Sequence, residues 1–130
     1  MEERIVKIWF SEHRIYAQTD NNKVLSRPLE AFPLLKNASE SDRNHYEIGM
    51  FGDDVRWRDI DEDISLENFY QTEEPDYNNP TANLFKKNNA DIFLTAKKIG
   101  IHYTLLQKYI YGIKKPSEQG FEAIANAFGA

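Results

Sequence analysis

The stretch that decides how this chain reads is Lys97-Lys98-Ile99-Gly100-Ile101-His102-Tyr103-Thr104-Leu105-Leu106-Gln107-Lys108-Tyr109-Ile110-Tyr111-Gly112. Its spacing predicts a helix from about Tyr103 to Tyr111, with Leu106, Tyr109, Ile110 and Ile113 on one stripe and Thr104, Gln107, Lys108 and Tyr111 on another. The first stripe should pack. The second carries hydroxyls, an amide and an ammonium, groups suited to base edges and phosphates in a major groove, and should face out.

Helical periodicity continues on both sides of this stretch. Ile92, Ala96 and Ile99 fall at i, i+4 and i+7, with Asp91 placed to cap the start and Gly100 to close the end in a left-handed conformation. Phe121, Ile124, Ala125 and Phe128 repeat the stripe behind Ser117 and Glu118, which suit a helix start. A small helical bundle is expected, its central pair of helices joined by a short glycine-centred turn.

Further toward the front, Gln71 to Asn83 holds two prolines among Asn, Asp and Thr, so a linker is expected over residues 71–83. Before it the period is that of strands. Arg4 to Phe10 and His13 to Gln18 predict a hairpin, and a turn at Asp20-Asn21-Asn22 leads to a third strand at Lys23 to Ser26. Pro28, Leu29, Phe32 and Leu35 predict one short amphipathic helix. Asn44 to Ile48 and Val55 to Arg58 predict a second hairpin, with Tyr46, Ile48, Val55 and Trp57 on its buried face and Glu47, Arg56 and Arg58 on the wet one. The expected fold is α+β: a small, mostly antiparallel sheet module with one helix over residues 1–70, the linker, and an all-α helix-turn-helix bundle over residues 84–130.

Charge divides the same way. The whole chain of 130 residues has a formal charge of −5, which taken alone argues against a nucleic-acid partner. Met1 to Asp76, however, sets nine Lys and Arg against eighteen Asp and Glu, a net of −9, whereas Tyr77 to Ala130 sets seven Lys against three carboxylates, a net of +4. An acidic front joins a basic back.

From Asp91 to Ala130, roughly a third of the chain, the pattern resembles the phage repressor and Cro type of helix-turn-helix, the lambda-repressor-like fold. The resemblance rests on Ala96, Lys98-Ile99-Gly100-Ile101, the helix ending at Gly112, Lys114-Lys115-Pro116-Ser117 and the closing stripe to Phe128-Gly129. It implies that Tyr103, Thr104, Gln107 and Lys108 face bases or the groove wall, with Tyr111 on the same helix, and that Lys114, Lys115 and Ser117 meet the DNA backbone. This chain departs from that family at Ile92, where a phosphate-touching Gln is frequent, and at Leu94 and Leu105, where polar residues are usual.

The front, from about Ile5 to Leu66, is similar to the bacterial family known as domain of unknown function 2442. The features are Arg14-Ile15-Tyr16, Pro28-Leu29 with Phe32-Pro33-Leu34-Leu35, Ala38-Ser39 with Arg43, and Val55-Arg56-Trp57 followed by Asp59-Ile60-Asp61-Glu62-Asp63-Ile64-Ser65. That resemblance implies a small α+β module without an assigned reaction. Some members carry a repressor-like helical domain behind it, and some are regarded as antitoxins.

Other chemistry is disfavoured. Asp59, Asp61 and Asp63 alternate as in a calcium loop, but the sixth loop position is Ile64 instead of Gly and the twelfth is Tyr70 instead of Glu. His13, His45 and His102 form no metal-spaced pair, Gly49 and Gly52 make no phosphate cradle, and no Ser sits in a nucleophile elbow. The expectation is therefore no enzyme, no metal and no cofactor. Cysteine is absent, no long apolar run occurs, and the chain opens Met1-Glu2-Glu3-Arg4, so a cytoplasmic protein without membrane attachment is expected. The partners expected are double-stranded DNA, through a helix Tyr103–Tyr111 reading the major groove, and a second copy of the chain, with the front module as the homodimer contact. The alternative is an antitoxin-like protein-interaction module, its helix-turn-helix degenerate and its partner a toxin.

Overall fold

The computed structural model describes residues 3–129. The chain divides into two compact units, Met1–Thr72 and Glu73–Ala130.

The first unit is α+β. Strands β1 (Ile5–Ser11), β2 (Arg14–Thr19) and β3 (Val24–Pro28) form an antiparallel sheet in that order. The β1–β2 turn is only Glu12-His13, and both residues take positive φ, 49° and 69°. That handedness matches the strand twist, so the turn keeps the hairpin in register although neither residue is the usual Asn or Gly. Alternation then does the rest: Ile15, Ala17 and Thr19 point into the core, while Trp9 and its cross-strand partner Tyr16 stack at 5.4 Å on the other face.

A second antiparallel sheet joins β4 (Glu47–Ile48), β5 (Asp54–Trp57) and β6 (Glu62–Ser65), pairing Val55 with Ile64 and Glu47 with Arg56. Ile5 N–H donates to Gly52 O at 2.7 Å and ties the sheets together. Gly52 has φ +69°, and a Cβ there would lie 2.6 Å from Arg4 Cβ. No larger residue fits this crossing.

Three helices close this unit: α1 (Pro33–Lys36), α2 (Glu40–Asn44) and α3 (Leu66–Phe69). The single helix expected from Pro28 to Leu35 is instead a 3-10 turn at Leu29–Ala31 and a fresh start at Pro33, whose missing N–H breaks one run and suits the first position of the next. Asn44, expected in a strand, ends α2, because the Ser39 hydroxyl accepts Asp42 N–H at 3.1 Å and begins a helix at Glu40. Arg43 clamps the arrangement. Its Nε and Nη2 donate to Leu35 O and Lys36 O at 2.8 Å, and its guanidinium lies 5.8 Å from the Phe10 ring centre. Trp57, fully buried, donates its indole N–H to Arg43 O at 2.9 Å. Of the acidic run, Asp59 holds His45 and Asp63 faces Arg56, so these carboxylates serve separate partners.

The second unit is helical: α4 (Pro80–Asn88), α5 (Ile92–Ile99), α6 (Tyr103–Tyr111) and α7 (Glu118–Ala127). Each begins with a side chain accepting a backbone N–H, from Asn79, Asp91, His102 and Ser117 respectively. Phe85, Ala96, Leu106 and Ile124 form its buried core, ringed by Leu84, Ile92, Ile99, Tyr109, Ile110 and Phe128. Helix α4 starts inside the stretch expected to be a linker, since Asn79-Pro80 is a capping residue followed by a proline at the first helical position. No described helix is long and apolar enough to cross a membrane.

Candidate nucleic-acid interface

The site is built on the turn between α5 and α6. Gly100, at φ +79°, closes α5, and both Gly100 N–H and Ile101 N–H donate to Ala96 O, at 2.9 and 3.1 Å. A left-handed residue followed by two bonds back into the last turn is what halts a helix abruptly and lets the next begin within three residues. His102 then caps α6, its Nδ1 accepting Thr104 N–H at 3.2 Å and standing 2.7 Å from the Thr104 hydroxyl.

Leu106 is fully buried, and Thr104, Lys108 and Tyr111 are partly exposed on α6. Lys114 and Lys115 are exposed in the loop that follows. Ser117 is exposed, but its hydroxyl oxygen accepts Gly120 N–H at 3.0 Å as the cap of α7. Tyr103 is partly covered, its ring 4.8 Å from Phe93 and 4.7 Å from His102.

Gln107 departs from the expected outward stripe. It is only 5% exposed, its Oε1 has no hydrogen-bond partner, and its Nε2 reaches Tyr111 Oη at a long 3.5 Å. At roughly 100° per residue, Gln107 lies midway between Tyr103 and Ile110 on one side and Thr104 and Tyr111 on the other, so its burial is decided by how far the neighbouring packing reaches around the helix. Gln107 is thus not part of the outward stripe.

Two features escaped the sequence reading. Phe93 is 58% exposed and extends the apolar departure already marked at Leu94, which is 68% exposed, so the start of α5 carries apolar surface. Residues 76–79 are also held in place: Asp76 N–H donates to Tyr111 O at 2.8 Å, Asn79 Nδ2 donates to Ile110 O at 3.0 Å, and the Tyr77 ring meets Tyr111 edge-on at 5.7 Å. Gly112 makes room, since a Cβ there would lie 2.2 Å from Asp76 O. The Asn-Pro pair signals the helix start, but nothing local signals this strap. Taking the unit from Glu73 adds Glu73, Glu74 and Asp76 to its charge, which becomes seven Lys against six carboxylates, a net of +1. The seven lysines are spread over the unit, Lys86 and Lys87 on α4, Lys97 and Lys98 on α5, Lys108 on α6, and Lys114 and Lys115 in the loop that follows.

In the first unit, His45 is bonded to Asp59. Its hydrogen bond to Asp59, reinforced by that carboxylate's charge, raises its pKa above the ordinary value of 6.5.

No curated protein matches the chain. Among solved structures it is similar to a candidate DNA-binding protein from Nitrosomonas europaea, at 14% identity over 95% of this chain and 85% of that one, with a TM-score of 0.39. A likeness at that score leaves the function of this chain to its own residues. The model of the family described as protein of unknown function (DUF2442) matches residues 5–75, more than half of the chain, and the chain therefore belongs to that family.

Proposed function

We propose that the chain is a DNA-binding transcriptional regulator whose α5–turn–α6 pair acts as a repressor-like helix-turn-helix. The observation that carries this reading is the abrupt turn at Gly100, after which α6 buries Leu106 and leaves Thr104, Lys108 and Tyr111 outward, with Lys114 and Lys115 in the next loop. In the docked geometry, Tyr103, Thr104 and Lys108 face the groove, and Lys114, Lys115 and the Ser117 hydroxyl proton meet phosphates. Few lysines on one unit make weak contacts, so useful affinity calls for a homodimer on half-sites about 34 Å apart, with the acidic DUF2442 unit as pairing module. The role is one of binding in the cytoplasm, without catalysis, metal or cofactor.

A second reading is favoured by exposed Phe93 and Leu94: an antitoxin-like module whose helical unit grips a protein toxin. Fluorescence anisotropy with random duplex DNA at two salt concentrations separates them. The regulator binds more weakly as salt rises, and changing Lys108, Lys114 and Lys115 together to Glu flattens the logarithmic salt slope by about 2 or more, since Lys114 and Lys115 each carry a phosphate contact worth about 0.9. Binding that ignores salt, or none at low salt, favours the interaction module. Thr104→Ala relaxes sequence preference more than affinity, and equal losses on every sequence count against groove reading.

A further inference from the structure

The strap, the end of α6 and the start of α7 enclose a cleft of about 600 Å³ within the helical unit. That volume falls in the range of a few hundred to about a thousand Å³ usual for small-ligand sites. Pro80, Tyr109, Pro116 and Phe121 supply flat apolar walls, and Lys114 and Lys115 stand among the lining residues. The cleft is preformed: Asp76 N–H and the Asn79 amide fix one wall to the last carbonyls of α6, and Gly112 permits that approach. Preformed walls lower the ordering cost a ligand must meet.

Charge selects the ligand. Neither Lys114 nor Lys115 makes an ion pair within the unit among the described residues. Asp76 and Glu118 also line the cleft, with Asp76 Oδ1 accepting Asn78 N–H at 3.0 Å. Two ammonium groups attract an anion, while two nearby carboxylates penalise every further negative charge, so a monoanion is favoured over a phosphate dianion. We infer that this cleft binds a small aromatic carboxylate, ring between the prolines and aromatic side chains, carboxylate at Lys114 and Lys115. Because these are the two loop lysines assigned to DNA phosphates, an occupied cleft weakens duplex binding. This regulatory half rests on the DNA-binding reading above; the ligand site does not.

The test titrates the full chain, followed by amide NMR, with indole-3-acetate, its neutral isostere indole-3-acetamide, and inorganic phosphate. Saturable shifts at Tyr109, Gly112, Ser117 and Phe121 are expected for indole-3-acetate. The amide should bind at least about tenfold more weakly, and phosphate should not displace the ligand. Lys114→Ala with Lys115→Ala, both exposed positions, should lower indole-3-acetate to the affinity of the amide. Equal binding of acid and amide, indifference to the double substitution, displacement by phosphate, shifts centred on Phe93 and Leu94, or no saturable shift each overturns the site. Anisotropy with duplex DNA and saturating indole-3-acetate then tests regulation, and unchanged duplex affinity overturns it. Duplex binding absent at every salt concentration, with indole-3-acetate still bound, removes the DNA reading and its regulation but upholds the site. Salt-dependent duplex binding without an indole-3-acetate site overturns the site alone.

Discussion

The sheet unit and the helical unit hold themselves together by opposite means. In the first, Ile15, Ala17, Leu35, Val55, Trp57 and Ile64 are all fully sealed, and the clamps that seal them reach far along the chain, as Arg43 does to Leu35 and Phe10. In the second, a smaller apolar core around Phe85, Ala96, Leu106 and Ile124 suffices because each helix is begun by its own cap and the turns are set by Gly100, Gly112 and Asn89 in left-handed conformations. The difference is instructive. Where the core is large, polar side chains are spent on structure; where local caps fix the helices, an outward face is left uncovered.

Four measurements would break or sharpen that comparison. The largest effect is expected from Trp57→Ala, which empties the centre of the sheet unit and orphans Arg43 O, at a cost of about 3–5 kcal/mol in urea unfolding. Helical-unit amide shifts that stay in place identify the units as separately stabilised, and their loss with the sheet would break the contrast. Next come two glycines within the helical unit. Gly100→Ala meets no atom within 4 Å and costs about 1 kcal/mol of left-handed strain, whereas Gly112→Ala adds a collision with Asp76 O and should cost at least about twice that. Equal thermal melts for the two would remove the strap from the structure.

A smaller effect, of opposite sign, is expected from Gln107→Leu. Removing a buried oxygen without a partner should stabilise the helical unit by about 0.5–1 kcal/mol and leave duplex affinity unchanged. A loss of duplex affinity would return Gln107 to the groove. The smallest concerns the exposed His45–Asp59 pair. The folded pKa of His45 lies above its unfolded value, so the pair contributes fully below pH 6.5 and its contribution fades as pH rises through the folded value. Imidazole NMR should show a titration midpoint above 6.5 that falls in Asp59→Asn, and a midpoint unmoved by the substitution would mean that the carboxylate does not hold the ring.

Local chemistry alone determined a good deal here. Asp91, Gly100, Ser117 and Gly112 mark the helix ends, and alternation through Ile15, Ala17, Val55 and Trp57 marks the buried strand faces, because caps, left-handed turns and side-chain periods act within a few residues. Tertiary structure decided the rest. It drew Asp76 onto Tyr111 O across Gly112, and turned Gln107 inward while leaving Phe93 outside. Each of those outcomes depends on which distant surface arrives to cover a group, and a periodicity within one element carries no information about its neighbour.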